Sequence, residues 1–434
     1  MGRVSIVMSS IRNGILDLIA KPIRQSICFI GRNPSLVVFT VAVFAATFAY
    51  YYATWKTIPA FVSAIDDSKY LFGDFIDRYY PMGKVLFVTK VPVSGFFYSA
   101  FFAVVMTVFG AFSFQTAVWL WGLLQGIAVL LLCLIPAYFL WRESGLKLSY
   151  FSYIVLFVTS LPVLHNLNWG QVSSLITLCI LGALFSYRRN HRLVAGFLLG
   201  LATSIKLYPA IFILYFVMKK EKPVIASFLA STIILLVLIP AVLIGPGESI
   251  RFHRLVYENI TSVSFSIRHI VNSQFFPHVI VRLFNFDSHE IWYQALRSIG
   301  FVVFLLNLFC VWVLRKKKIS NETYLAFSFL FLSIPFVVTT AWPHYFVYLP
   351  FCQVVLVWAI LRGGNKSFKR VPFLALLLPS VVLSNVVFFN LLPHWSTYSR
   401  HGCLLFSNSL LLAGLYWYVI LQSKRQIAET PAAK

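Results

Sequence analysis

The sequence predicts an all-α protein: a polytopic membrane helical bundle of about 11–12 spans, some of them short or broken. Three observations predict this fold class. Hydrophobic residues make up 59% of the 434 residues, against roughly 45–50% in soluble domains. Only 11% of the residues are charged, whereas soluble proteins carry about 25%. The apolar residues also lie in runs of about 20, the length that crosses a bilayer. A soluble enzyme and a disordered chain are therefore excluded.

The formal net charge is +23, which raises the question of a nucleic-acid partner. Basic nucleic-acid-binding proteins gather Lys and Arg on one solvated face. In this sequence the basic residues separate long apolar runs instead. We therefore expect membrane lipids as partners, and no nucleic acid.

The order of apolar and basic segments predicts the domain organisation, because cytoplasmic loops carry an excess of Lys and Arg. Residues 1–34 are expected to form a basic cytoplasmic segment at the membrane surface. A single transmembrane domain is expected over 35–421, with large outer loops at 55–113 and 246–291, and a cytoplasmic tail over 422–434. The candidate spans are roughly 35–54, 114–140, 148–165, 169–187, 223–245, 292–314, 322–341, 345–361, 371–391 and 402–421.

Two of the basic connections, 188–192 and 219–222, flank the apolar stretch 193–218. If both connections are cytoplasmic, the stretch must enter the membrane and return. Each arm would have about 12 residues, which is too short for a full span. The sequence therefore predicts a broken or V-shaped helix pair that turns at Lys206-Leu207-Tyr208-Pro209. Such a break is tolerated in lipid only where protein or a water-filled cavity surrounds it.

The first outer loop carries Asp74 and Asp77 among aromatic residues. Two carboxylates in different surroundings can hold different pKa values, and one of them can serve as a general base. The alternative is a solvated turn in which Asp77 pairs with Arg78. We favour Asp74 as the base.

Lys206 lies inside an apolar stretch, where a Lys costs roughly 2.5–3.5 kcal/mol at mid-membrane unless it faces a cavity and an anion. A lipid phosphate would be such an anion; the alternative is an anchor that extends to the interface. Arg268 and Arg282 in the second outer loop can bind phosphate through the guanidinium fork. His344, between two later spans, can orient a phosphate or a sugar.

Taken in order, several motifs resemble those of glycosyltransferase family 87, whose members are integral-membrane enzymes that depend on polyprenyl-phosphate sugars. The resemblance covers about residues 70–350. Its most specific part is Asn168-Trp169-Gly170-Gln171-Val172, followed by the segment from Ala195 to Pro209. The other matches are Asp74-Phe75 with Tyr79-Tyr80, the aromatic segment Gly95–Ala103, Asn272-Ser273 with Arg282, and Trp342-Pro343-His344-Tyr345.

The resemblance implies a helical bundle of the GT-C type with its catalytic groups on the first outer loop. It implies inverting transfer of a hexose, such as mannose, from a polyprenyl-phosphate-sugar donor to a lipid or glycan acceptor, without metal or cofactor. The catalytic residues would be Asp74 and Asp77, and the donor phosphate would be bound by Lys206, Arg268, Arg282 and His344. Substrate-binding roles fall to Asn168, Gln171, Tyr208, Asn272 and Trp342.

The expected location is a bacterial inner (plasma) membrane, with both termini cytoplasmic and the active site on the outer side. A lipid-linked sugar flippase or transporter is the principal alternative function, because transporters also use broken helices. A non-catalytic scaffold subunit is a second alternative. In that case Asp74 and Asp77 would be dispensable.

Overall fold

The computed structural model describes residues 34–65, 70–266, 270–285, 290–317, 319, 321–362, 371–392 and 394–429. Over these residues the chain is helical and has no β-strand; a single isolated bridge joins Ser160 and Asn385. The predicted all-α fold class is thus confirmed. The surface segment expected at 1–34 lies outside the described residues except for Pro34.

The helices follow one another along the chain with these bounds: α1 (Pro34–Trp55), α2 (Ile58–Ala64), a π-helical turn (Phe75–Tyr79), α3 (Tyr80–Thr89), α4 (Ala100–Gly110), α5 (Phe114–Ser144), α6 (Lys147–Val158), α7 (Leu161–Trp169), α8 (Ser173–Arg188), α9 (Arg192–Ile205), a 3-10 turn (Tyr208–Phe212), α10 (Ile213–Lys219), α11 (Lys222–Thr232), a π-helical segment (Ile233–Leu238), α12 (Ile239–Ile244), α13 (Pro246–Ser266), α14 (Phe276–Phe284), α15 (Glu290–Lys316), α16 (Glu322–Val337), a 3-10 turn (Pro343–Tyr348), α17 (Leu349–Arg362), α18 (Val371–Leu383), α19 (Val386–Asn390), α20 (Trp395–Arg400) and α21 (Cys403–Glu429).

Five helical stretches within the described residues are long and apolar enough to cross a membrane. They are Phe114–Ser144, Lys222–Ile244, Glu290–Lys316, Pro343–Leu361 and Cys403–Ser423. Among the shorter apolar helices, α4 precedes the first of these stretches, and α8, α9 and α16 lie between them in the chain. The chain is therefore a polytopic membrane protein, as the composition predicts.

The chain divides into two compact units, Met1–Phe139 with Pro162–Ile267, and Leu140–Leu161 with Arg268–Lys434. In the first unit α9 packs tightly on α11. Gly196 and Gly200 lie on the contacting face, where a Cβ on Gly196 would meet the backbone of Val224 and Phe228. Small residues at such crossings let two helix backbones approach closely. This contact fixes the position of α9 and of the residues that follow it.

We expect Gly196→Ala to destabilise the protein by about 1–3 kcal/mol, because the added methyl group meets backbone atoms that cannot move aside. Gly126→Ala in α5 is the matched control, since a Cβ there meets nothing within 4 Å. Ala has the higher helix propensity, so the control should be neutral or slightly stabilising. Thermal unfolding of both variants in detergent measures the difference. Equal melting temperatures would contradict a tight α9–α11 contact.

The break expected within 193–218 is present. Helix α9 ends at Ile205, and Lys206 has an extended backbone with φ −148° and ψ 137°. The chain then forms the 3-10 turn at Tyr208–Phe212, with Pro209 near its start, and continues as α10. With its 14 residues, α9 is about 21 Å long at 1.5 Å per residue, which is shorter than the hydrocarbon core. Lys206 thus lies at the end of a short helix and outside the five long spans.

The two regions expected as outer loops are largely helical. Region 55–113 holds α2, the π-helical turn, α3 and α4, and region 246–291 holds the 21-residue helix α13 and then α14. Because α13 contains several charged residues, its sequence does not resemble a membrane span. Two of its ion pairs, Arg251 with Glu248 at 3.8 Å and Arg254 with Glu258 at 2.8 Å, follow helical spacing. That spacing is a signal of helix and not of irregular loop.

In the second unit a hydrogen-bonded polar group is buried among the helices, while large apolar side chains of the same helix are exposed, as expected for a protein in lipid. Asn307 of α15 donates to the Ser333 hydroxyl at 2.7 Å and accepts from the Tyr416 hydroxyl. On the same helix Phe301 and Phe309 are more than half exposed. Hydrogen bonds between helices stabilise packing where the surroundings are as apolar as the side chains.

Candidate active site

Asp74 lies at the start of the π-helical turn Phe75–Tyr79, in the first unit. Its side chain is only 15% exposed, and one carboxylate oxygen, Oδ1, forms an ion pair with Arg78 Nε at 2.9 Å. The other oxygen, Oδ2, accepts a hydrogen bond from the amide nitrogen of Gln171. A carboxylate has about four lone-pair sites. Asp74 therefore keeps the capacity to accept a further proton donor.

The orientation of the Gln171 amide is determined by two tyrosines. The Tyr98 hydroxyl donates to Gln171 Oε1 at 2.7 Å, and the Tyr79 hydroxyl lies 3.0 Å from the same oxygen. Because the amide oxygen faces these hydroxyl donors, the NH2 group must face Asp74. An ionised carboxylate can accept hydrogen bonds but cannot donate them. This arrangement therefore stabilises the ionised form of Asp74.

Hydrogen bonds to neighbouring helices fix the turn that carries Gln171. Gln125 of α5 donates to the backbone oxygen of Gln171 at 3.0 Å and accepts from the Asn166 amide at 3.2 Å. Asn166 in turn accepts from the backbone nitrogen of Ser174 at 3.2 Å. Trp121 donates to the Gly170 carbonyl at 3.0 Å. The main-chain position of Gln171 is therefore rigid.

The same turn also holds the segment that leads into Asp74. The Asn168 side chain donates to the carbonyl of Ile65 at 2.7 Å, and the backbone carbonyl of Asn168 accepts from the Phe72 backbone nitrogen at 2.7 Å. Phe72 has a φ of 65° and Gly170 a φ of 62°. A Cβ on Gly170 would lie 2.9 Å from that of Phe72. Only glycine allows this approach at position 170, and a non-glycine residue with positive φ is typical of a constrained site.

Lys206, the residue that follows α9, belongs to the same group of side chains. Its ammonium lies 4.7 Å from the centroid of the Tyr98 ring, a distance at which a cation is attracted to the π face. The next residue along from Tyr98, Ser99, donates its hydroxyl to the Ser204 carbonyl and its backbone N–H to the Ile205 carbonyl. These bonds hold the end of α9 against the aromatic segment. We call Asp74, Arg78, Gln171, Tyr98 and Lys206 the aspartate cluster.

Burial and charge shift the pKa values of two groups in the aspartate cluster, both outside the five long spans. Burial raises the pKa of Asp74 to about 6, although the nearby charges of Arg78, Lys206 and His165 act to lower it. Burial also lowers the pKa of Lys206 to about 7, and Asp74 acts against this shift. A carboxylate with a pKa near the working pH can take up a proton and release it again.

Asp77 is in a different environment, although it is only three residues away. Its side chain is exposed and accepts a hydrogen bond from the Tyr70 hydroxyl. The alternative in which Asp77 pairs with Arg78 is wrong, because Arg78 forms its ion pair with Asp74. The i, i+4 spacing within one helical turn explains this choice. The burial and the cationic neighbours favour Asp74 over Asp77 as a base.

In the second unit Arg282 is hydrogen-bonded to the backbone of the loop that contains Asn272. Arg282 donates from Nη2 to the carbonyl of Ser273 at 2.6 Å and from Nη1 to that of Ile270 at 3.0 Å. The Asn272 side-chain oxygen accepts from the Trp395 indole at 2.6 Å. Arg282 thus uses both terminal nitrogens to hold the loop around Asn272. Its phosphate-binding role stays a prediction.

Trp342 and His344 belong to the second unit as well. His344 is buried in the 3-10 turn Pro343–Tyr348, and Trp342 precedes that turn with an extended backbone. The loop of Asn272 contacts this segment, because the backbone nitrogen of Gln274 donates to the Ala341 carbonyl at 2.7 Å. Tyr208 is buried in the 3-10 turn after Lys206, in the first unit. Arg268 lies outside the described residues.

Sequence reasoning identified neither Arg78 as a partner of the candidate base nor Tyr79 and Tyr98 as partners of Gln171. The close approach of Gly95 to Arg78 is visible only in the fold. Gly95 has a φ of 74°, and a Cβ at this position would overlap the Arg78 guanidinium. The glycine therefore makes room for the cation beside Asp74. Within the described part of the chain, no three His, Cys, Asp or Glu side chains are close enough to share a metal ion.

The geometry suggests a positioning role for Gln171 that can be tested. We expect Gln171→Leu to lower kcat about 10- to 100-fold, the usual effect of losing a hydrogen bond to a charged group. The acid limb of the pH profile should move to higher pH, because the ionised carboxylate loses a donor. Tyr98→Phe keeps the ring under Lys206 and should have a smaller effect. A rise in KM at unchanged kcat would instead support the predicted sugar-binding role of Gln171.

Comparison with known proteins adds one finding. The model of glycosyltransferase family 87 matches residues 96–343, which is more than half of the chain. The matched region includes Tyr98, Gln171, Lys206 and Arg282. No curated protein and no solved structure matches the sequence.

Proposed function

The chain belongs to glycosyltransferase family 87, and from this premise we propose that it transfers a hexose, specifically mannose, from a polyprenyl-phosphate-sugar donor to a hydroxyl group of a lipid or glycan acceptor. The membership makes it a glycosyltransferase of the membrane, with a donor and an acceptor as substrates. The donor class, the sugar and the acceptor are the proposed part. We further propose a bacterial inner membrane as its location, with both termini cytoplasmic and the aspartate cluster on the outer side.

In the proposed reaction Asp74 acts as the general base. The acceptor hydroxyl gives its proton to a carboxylate oxygen of Asp74 while its own oxygen attacks the anomeric carbon. The bond between that carbon and the phosphate oxygen breaks, and its electron pair leaves with the lipid phosphate. Attack from the face opposite the phosphate inverts the anomeric configuration. Lys206 compensates the negative charge that develops on the leaving phosphate.

One observation carries this proposal: a largely buried Asp74 accepts from the Gln171 amide, Gln171 accepts from the Tyr98 hydroxyl, and the Tyr98 ring lies 4.7 Å from the Lys206 ammonium. A base and a cation so placed can take the proton and the charge of one displacement step. The roles of Arg268, Arg282 and His344 with the phosphate, and of Asn168, Tyr208, Asn272 and Trp342 with the substrates, are further predictions of the same proposal.

The test is transfer by the purified protein. It is supplied with labelled polyprenyl-phosphate-mannose and a panel of lipid and glycan acceptors, and the anomeric configuration of the product is determined by NMR. We expect an inverted product with this donor, and none with nucleotide sugars. Transfer from a nucleotide sugar would overturn the donor class, and a retained configuration would overturn the single-displacement mechanism. Movement of intact donor across vesicles without transfer would support the transporter alternative.

The pH profile of transfer should be bell-shaped with its maximum between about pH 6 and pH 7. Activity needs Asp74 ionised, so it falls as the pH drops through about 6. It also needs Lys206 protonated, so it falls as the pH rises through about 7. Measurement of kcat over KM from pH 4.5 to 9 reports these groups in the free enzyme. A flat profile across pH 5–8 would contradict the assignment of both groups.

A further inference from the structure

Two basic connections in the first unit lie at the opposite ends of the segment that carries Lys206. One follows α8 and leads into α9, and the other follows α10 and leads into α11. Together they hold six cationic residues and a single carboxylate: Arg188, Arg189, Arg192, Lys219, Lys220, Lys222 and Glu221. We call them the basic connections. Most of their cations are exposed.

Glu221 joins the two basic connections. One carboxylate oxygen pairs with Arg192 Nη1 at 2.9 Å, and the other accepts from the Tyr187 hydroxyl at 2.7 Å. Lys219 lies over the Tyr187 ring at 5.6 Å, measured from its ammonium to the centroid. Both oxygens of Glu221 are therefore engaged. The carboxylate acts as a brace between the connections and leaves a strong excess of positive charge.

Arg189 packs against two aromatic rings. Its guanidinium lies 5.0 Å from the Phe139 ring, which stacks on Phe185 at 4.2 Å between centroids. The stacked rings hold the guanidinium plane in place. One terminal nitrogen, Nη2, is buried and has no hydrogen-bond partner among the described residues. Nη2 is therefore closed to a headgroup, so a phosphate would be bound by the remaining N–H groups of this half-buried guanidinium.

We propose that the basic connections bind the phosphate of an anionic phospholipid headgroup. The guanidinium of Arg189 would hold the phosphate oxygens, and Lys220 and Lys222 would contribute charge from the second connection. The ends of apolar helices lie at the depth of the headgroups, and Lys222 begins one of the five long spans. Juxtamembrane Lys and Arg are attracted to anionic lipid in this way.

Such a lipid would have a structural consequence for the active site. The segment between the basic connections is α9, the break at Lys206, and α10. A headgroup bound by Arg189 and Lys220 at once would tie the two ends of this segment together, in parallel with Glu221. The site goes beyond the proposed reaction, since lipid binding is measured without any turnover.

The test compares phosphatidylglycerol with phosphatidylcholine on the full-length protein in detergent. Retained lipid is counted by native mass spectrometry, and the melting temperature is recorded as each lipid is added. We expect phosphatidylglycerol to raise the melting temperature more than phosphatidylcholine. The double variant Arg189→Gln, Lys220→Gln should weaken phosphatidylglycerol binding roughly 30-fold, the effect of removing two interfacial charges. Arg189→Lys should lie between, because it keeps the charge and loses the fork.

The matched control is Arg315→Gln, Lys316→Gln, which removes two charges from the end of another span. We expect it to keep the high-affinity phosphatidylglycerol. Equal losses in both double variants would show a general attraction to the membrane surface and overturn the specific site. Inorganic phosphate is the remaining arm: if millimolar phosphate stabilises the protein as well as phosphatidylglycerol does, the site binds free phosphate and the lipid proposal is wrong.

Discussion

Replacement of Asp74 by Asn is expected to lower kcat for sugar transfer by roughly 10²- to 10⁴-fold, the usual contribution of a general base. The amide has nearly the size of the carboxylate but cannot take the acceptor proton. It also removes the charge that pairs with Arg78 at 2.9 Å and lies near Lys206. Single-turnover assays with labelled donor measure the chemical step, and donor binding measured in parallel should change little.

Asp77→Asn is the matched control for this prediction. Asp77 is three residues away and is exposed, with Tyr70 as its hydrogen-bond partner. We expect its loss to change kcat by no more than a few-fold. If the Asp77 variant were inactive and the Asp74 variant active, the base would be Asp77. If both variants transferred sugar at the normal rate, no aspartate of this loop would act as a base.

The break at Lys206 was predictable from the sequence because its causes are local. A Lys in an apolar stretch, a Pro three residues later and arms too short to cross a bilayer are all visible in the chain. The surroundings of Asp74 were not predictable in the same way. Gln171 lies 97 residues from Asp74 in the chain. Nothing in either segment indicates whether the amide would turn its nitrogen or its oxygen toward the carboxylate.

Tyr98 illustrates the same limit more sharply. As part of an aromatic segment it resembles any apolar residue of a membrane protein. Only the fold brings its hydroxyl to Gln171, and the packing of the end of α9 against that segment brings its ring under Lys206. Helix α13 shows the converse, since its i, i+4 ion pair was present in the sequence. The helix was missed because this region was expected to be an outer loop, although the sequence contained a signal for helix.

Lys206→Met should lower kcat by roughly 10²- to 10³-fold, comparable to the loss of one preorganised group that stabilises charge in a transition state. Met has a similar length and no charge, so the cost of burying a charged ammonium is removed, while Asp74 keeps its ion pair with Arg78. The melting temperature is therefore expected to stay the same or rise while activity falls. The residual activity should have an acid limb at higher pH, because Lys206 lowers the pKa of Asp74 and its removal takes that influence away.

Lys84→Met provides a control with the same chemistry elsewhere, since the Lys84 ammonium lies 5.6 Å from the Tyr80 ring. Its loss removes a similar cation–π contact from an exposed position and should leave kcat within a few-fold. Lys206→Arg should recover part of the activity, because it restores the charge. If Lys206→Met lost activity only through a lower melting temperature, Lys206 would be structural. Transfer at the normal rate in a folded Lys206→Met protein would remove the lysine from the proposed mechanism and leave the developing phosphate charge to other cations.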